Sequence, residues 1–166
     1  MKNLEKIVLT GLFAALGVVL SPFYIPTGLA KCFPIQSMLN VLAAVLLGPV
    51  YAVAIAFITS LIRVILGTGS FLAFPGSMIG AFVSALLYKH FRKLWSAYIG
   101  EFLGTGVLGA IAAYPVAAFL LSAKAAIFTY MIPFMVSSFV GSAISILLLE
   151  ILVKTKILDK MNARNL

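Results

Sequence analysis

Residues 35–66 read IQSMLNVLAAVLLGPVYAVAIAFITSLIRVIL, two apolar runs divided by Gly48-Pro49. Whether they form one long span or two helices joined by a tight turn decides the fold. Pro49 brings no amide proton to a helix ladder, and Gly48 tolerates turn geometry. Charge settles the choice. Lys2 and Lys6 precede the first apolar run, Lys89, Arg92 and Lys93 lie between two later ones, and Lys154, Lys156, Lys160 and Arg164 close the chain. Two helices put all three basic groups on one side, whereas a single span would set the amino end against the other two. Cytoplasmic ends of spans retain Lys and Arg, so two helices are expected. The first is shorter than the ~20 residues that cross a bilayer core, and so relies on local thinning or a buried end.

Working outward, Leu4 to Ser21 reads as a first helix stopped by Pro22, with runs at Ile35–Leu47 and Val50–Leu66 as the second and third. A fourth carries the small-residue ladder Gly76, Gly80, Ser84 and ends near His90. The fifth, Ser96–Leu121, is thinned by Gly100, Gly104, Gly106 and Gly109, with a kink predicted at Pro115. A short outer loop around Lys124 leads to the sixth, Ile127–Val153, with Pro133 near its start. The expected fold is an all-α polytopic membrane protein: one domain over residues 1–166, six transmembrane helices, both termini cytoplasmic, multi-pass in the plasma membrane. A signal-peptide reading of the first run is disfavoured, because Val19-Leu20-Ser21 is a poor cleavage site and Pro22 follows it.

Composition supports lipid as the solvent. Of 166 residues 63% are hydrophobic and 10% charged, and the mean hydropathy is +1.18. Soluble domains are about 45–50% apolar and about 25% charged. The net charge of +8 sits at the ends of the apolar runs, which the orientation rule explains without nucleic acid as a partner. The single cysteine, Cys32, excludes an internal disulfide and a cysteine-based metal site.

The richest polar stretch is PFYIPTGLAKCFPIQ, residues 22–36, read as a lid over a site. Gln36 and Asn40 are four apart and share a helix face. Pointed inward they serve an uncharged polar ligand; pointed at neighbours they tie helices together. Arg63 either snorkels to the interface or donates into an outward pocket. Glu101 reads as a packing carboxylate, a partner contact or an internal counter-charge. Aromatic residues gather at the outer ends: Phe23, Tyr24, Phe33, Phe71, Phe74, Tyr114, Phe119, Phe128 and Tyr130. They form an interfacial belt by default, and several converging on one cavity would suit a small flat heteroaromatic ligand. Gly11 and Ala15, at small-xxx-small spacing, serve internal packing or a docking face. Enzyme templates fit badly. The lone histidine, His90, lies among lysines, the only acids are Glu5, Glu101, Glu150 and Asp159, and no nucleotide-binding glycine motif with its lysine occurs.

Gly28-Leu-Ala-Lys-Cys-Phe-Pro-Ile-Gln36, Asn40-Val-Leu-Ala-Ala-Val-Leu-Leu-Gly-Pro49, Arg63, Leu66-Gly-Thr-Gly-Ser70, Ala73-Phe-Pro-Gly-Ser-Met-Ile-Gly80 and Gly100-Glu-Phe-Leu-Gly-Thr-Gly106 resemble the ThiW family over almost the whole chain. Ser37 and Val64 stand where that pattern often has histidine and asparagine. The family comprises thiazole-specific S components, the substrate-binding subunits of energy-coupling factor transporters. The resemblance implies capture of 4-methyl-5-(2-hydroxyethyl)thiazole from outside, with no cofactor of its own. A transmembrane coupling subunit and two ATPase subunits, which hydrolyse ATP, would be the partners. It suggests Lys31, Phe33, Gln36 and Asn40 for ligand contacts, Arg63, Ser70 and Phe74 for the opposite wall, and Tyr114 and Tyr130 for closure. Gly11, Ala14, Ala15 and Val18 would be the docking face. The alternatives are an S component for another thiamine-related or small heteroaromatic ligand, a membrane enzyme, disfavoured by the missing acidic cluster, and a structural subunit, for which the lid would be superfluous.

Overall fold

Gly48 takes a left-handed backbone at φ +86°, and Pro49 opens a new helix immediately after it. The apolar run quoted above is therefore two helices. In the computed structural model, which describes residues 3–26, 31–120 and 129–155, six helices follow one another. They are α1 (Asn3–Val19), α2 (Pro34–Leu46), α3 (Pro49–Ile65), α4 (Ala73–Phe91), α5 (Leu94–Leu120) and α6 (Met131–Lys154). The expected outer loop around Lys124, the start of the last helix at Ile127, Phe128 and the basic residues Lys2, Lys156, Lys160 and Arg164 lie outside the described residues. Two helices, Leu94–Phe119 and Met131–Lys154, are long and apolar enough to cross a membrane.

Two boundaries differ from expectation for local reasons. The first helix ends at Val19 rather than Ser21, because a proline disfavours helical geometry in the residue before it; Leu20 to Tyr24 continue as turns. The lid is not simply a loop. Ile25–Pro26 (β1) pairs antiparallel with Lys31–Cys32 (β2), Ile25 opposite Cys32 and Pro26 opposite Lys31. This ribbon is tied to α6: Cys32 Sγ lies 3.0 Å from the Pro133 carbonyl oxygen, and the Phe33 amide donates to Ser137 Oγ at 3.2 Å.

The short α2 is the central helix. Ten of its residues are buried, from Pro34 to Val45, and it packs against all five others. Neighbours on every side place it in the core, its apolar residues and its Gln36, Ser37 and Asn40 alike. At one end of the bundle Val45, Leu46, Tyr88, Leu94, Leu149 and Leu152 cluster, flanked in sequence by Lys89, Arg92, Lys93 and Lys154. The opposite end holds Leu72, Ala117, Tyr130 and Met131 together with the ribbon.

The small-residue ladder of α4 meets a glycine ladder on α5. A Cβ on Gly100 would lie 2.6 Å from Ser84 Cα, one on Gly104 2.8 Å from Gly80 Cα, and one on Gly109 2.7 Å from Gly76 Cα. On α4 the rungs are spaced four and four; on α5 they are spaced four and five. The extra residue is absorbed where α5 widens into a π-helical segment, Gly104–Gly109, a rare geometry that lengthens the repeat. The sequence points to Pro115, which sits inside the α-helical part, Ala110–Leu120; the π-helical turn lies before it. Backbone contact this close leaves no room for a methyl group. Gly100→Ala is expected to lower stability by about 1–3 kcal/mol, read as earlier thermal unfolding in detergent. Gly11→Ala, whose Cβ would meet nothing within 4 Å, is expected to leave the transition in place.

Candidate functional site

Beneath the ribbon, α2, α3, α4, α5 and α6 enclose a polar chain with an arginine at one end and a glutamate at the other. Pro34 starts α2, which places Gln36 and Asn40 on one face, one turn apart. Gln36 Nε2 donates to Asn40 Oδ1 at 3.2 Å. The Asn40 amide nitrogen donates to the Ser77 carbonyl and to Glu101 Oε1, both at 3.1 Å. Every polar hydrogen of Asn40 is thus spent, and its orientation is fixed, since the reverse would set its oxygen against two acceptors. Thr105, one turn beyond Glu101, donates to the same Oε1 at 2.7 Å. Oε2 has no hydrogen-bond partner among the described residues and faces α4, where a Cβ on Gly80 would stand 2.8 Å from it.

Arg63 closes the other end. It is 1% exposed, held on the last turn of α3. Thr68 and Gly69 both donate their amides to its carbonyl at 2.9 Å, and left-handed Gly67 (φ +71°) permits that fold-back. Its guanidinium lies 3.6 Å from the centre of the Phe33 ring, a cation–π contact strengthened by burial. Nη1 reaches Gln36 Oε1 at 3.5 Å, a long bond. Arg63 and Glu101 are therefore not a direct pair; two carboxamides stand between them.

The chain borders a cavity of about 40 Å³ lined by Lys31, Phe33, Gln36, Ser37, Asn40 and Arg63 on one side, and by Ala73, Gly76, Ser77, Thr105, Phe134 and Ser137 on the other. A larger outer chamber of about 310 Å³ shares Lys31, Phe33, Ala73 and Phe134, and adds Gly69, Ser70 and Leu72. Among the described residues no cluster of His, Cys, Asp and Glu suits a metal ion.

Of the residues singled out from sequence, Lys31, Phe33, Gln36, Asn40 and Arg63 meet at the inner cavity, and Ser70 lines the outer chamber. The others lie elsewhere. Phe74 packs against Phe57 and Phe71, with ring centres 5.7 and 6.4 Å away. Tyr114 is 36% exposed, and Tyr130 is buried beside Leu72, Ala110, Ala113 and Ala117. On α1, Gly11 and Ala15 are exposed, Val18 is half-buried and Ala14 is buried. Sequence reasoning missed Ser77, Thr105, Phe134 and Ser137, and met Ser37 only as a departure from the family pattern. Thr105 carried a signal, standing four residues after a buried acid.

A family model for thiamine-precursor transporter proteins, ThiW, matches residues 7–155. The chain belongs to the ThiW family. No curated protein and no solved structure matches it. ThiW membership makes it a thiamine-precursor transporter protein, and with the apolar helices it points to the membrane. A transporter family also argues against the enzyme alternative.

Because Asn40 satisfies three partners at once, its loss would strand them in the core. Asn40→Ala is expected to destabilise the ligand-free protein by about 1–3 kcal/mol, measured as a lower unfolding midpoint in the absence of any added solute.

Proposed function

We propose that the chain is the substrate-capturing S component of an energy-coupling factor importer, binding a thiazole precursor of the hydroxyethylthiazole type. The observation that carries this is the aromatic-walled cavity with polar groups set into it under the ribbon, in a member of the ThiW family. Phe33 and Phe134 border both chambers and offer flat faces to a heteroaromatic ring. The larger outer chamber suits the ring and the smaller inner one its polar tail, having room for only about two or three water-sized groups. Gln36 keeps one amide hydrogen beyond those spent on Asn40 for that tail.

In this reading all six helices cross the bilayer with both termini in the cytoplasm of a plasma-membrane protein. Support comes from the gathering of Lys89, Arg92, Lys93 and Lys154 at the end opposite the ribbon, which the orientation rule assigns to the cytoplasm. The cavity then opens outward. The energy would come from a transmembrane coupling subunit and two ATPase subunits, met through the outer strip of α1. Gly11 and Ala15 lie on that strip among exposed Leu4, Ile7, Val8 and Leu12. Ala14, turned inward, does not belong to it.

Calorimetric titration of the purified protein with hydroxyethylthiazole is expected to show saturable binding. Thiamine, the aminopyrimidine precursor and riboflavin should bind weakly or not at all. Gln36→Ala should weaken the thiazole by about fivefold, the value of one hydrogen bond. No heat with any of the four compounds would sink the ligand assignment. Gly11→Trp should retain thiazole binding and lose uptake in cells that express the coupling subunits; undiminished uptake would remove α1 as the docking face.

A further inference from the structure

The guanidinium of Arg63 is buried yet incompletely used. Nη1 is engaged by Gln36 and the ring of Phe33 covers one face. Nε and Nη2 have no hydrogen-bond partner among the described residues. These two nitrogens form one edge of the guanidinium, with parallel N–H bonds spaced to match the two oxygens of a carboxylate or phosphate. Arg63 borders the cavity, is 1% exposed, and has both of these buried donors unspent. Leaving such a donor pair dry and unpaired is costly.

The remaining wall agrees. Lys31 also borders the cavity, and among the described residues no Asp or Glu lines it. The nearby acid, Glu101, stands behind the wall: Oε1 is taken by Asn40 and Thr105, and Oε2 lies against Gly80. Ser137 Oγ accepts the Phe33 amide and keeps its own proton to donate. A neutral alcohol offers a single weak acceptor to these groups, whereas an anion fills the fork.

Resting on the thiazole reading above, we infer that the ligand captured here is anionic: a thiazole whose side chain ends in a carboxylate or a phosphate, held edge-on by Arg63 with Lys31 as second cation. The ring occupies the outer chamber and the anionic end the inner one.

Side-by-side titrations of hydroxyethylthiazole, its phosphate ester and a methylthiazole carboxylate test this. At least one anion is expected to bind about tenfold or more tighter than the alcohol, and the order of the two anions identifies which group is meant. The anion-to-alcohol affinity ratio should fall towards one in Arg63→Gln and only part-way in Arg63→Lys, which keeps the charge without the fork. Lys31→Gln should also reduce the ratio. Its side chain is exposed, so this variant holds even if substitution of Arg63 prevents folding. An alcohol that binds as tightly as both anions, or a ratio unchanged by Arg63→Gln and Lys31→Gln, overturns the inference while leaving the thiazole reading intact. Failure of all three compounds to bind overturns both.

Discussion

A carboxylate and a guanidinium are buried in this bundle without touching, and the polar interior is arranged around keeping them apart yet connected. Charges in an apolar interior are tolerated only when their hydrogen-bonding capacity is largely spent. Glu101 reaches that state on one oxygen through Asn40 and Thr105; Arg63 reaches it only in part, through Gln36 and the face of Phe33. The two carboxamides act as insulated links. Each passes a donor to one neighbour and an acceptor to the other, so the chain runs in one direction from arginine to glutamate. Such chains polarise along their length and rigidify the helices that carry them. Here those helices are the central α2 and the three that supply Arg63, Ser77 and Glu101.

Close helix contact makes the chain possible. Gly76, Gly80 and Ser84 on α4 face Gly109, Gly104 and Gly100 on α5 with almost no side-chain volume between them. In a bilayer, where apolar burial between helices contributes little, such contact is a principal source of association. It also brings Thr105 and Glu101 within reach of Asn40 and of the α4 backbone. The π-helical turn is the geometric consequence of matching two ladders with unequal spacing. Without the extra residue, Gly109 would rotate out of register with Gly76. The rarity of such turns outside functional regions fits its place beside the cavity.

Much of this was legible in the sequence, and the residues show why. The Gly48-Pro49 break, the glycine ladders and the shared face of Gln36 and Asn40 follow from one-dimensional spacing, because helix periodicity converts separation into direction. Partnerships between helices do not follow. Nothing in the spacing of Ser77 or Thr105 says that the one offers its carbonyl to Asn40 and the other its hydroxyl to Glu101, since this depends on how far α4 and α5 rotate when their glycines meet. Aromatic residues misled for a related reason. Phe74, Tyr114 and Tyr130 carry the same interfacial signal as Phe33, yet Phe33 meets the cavity and Tyr114 faces outward. Phe134 reads as one more apolar residue of a long helix. Pro115 drew attention as the expected kink, while the irregular turn arose from a register conflict that no single residue announces.

The site and the fold therefore use the same bonds. Asn40 is saturated by protein partners, and Gln36 nearly so, whereas Arg63 keeps two donors unspent among the described residues. On the proposed reading, a ligand that engages them would extend a polar chain already built on four helices, and its binding energy would add to the stability of the bundle. The ribbon strengthens this coupling. Cys32 and Phe33 are tied to α6 through Pro133 and Ser137, and Phe33 rests on the guanidinium. On the proposed reading, occupancy at Arg63 would reach the cover and the last helix through these direct contacts, so that closure, specificity and stability would meet at one side chain.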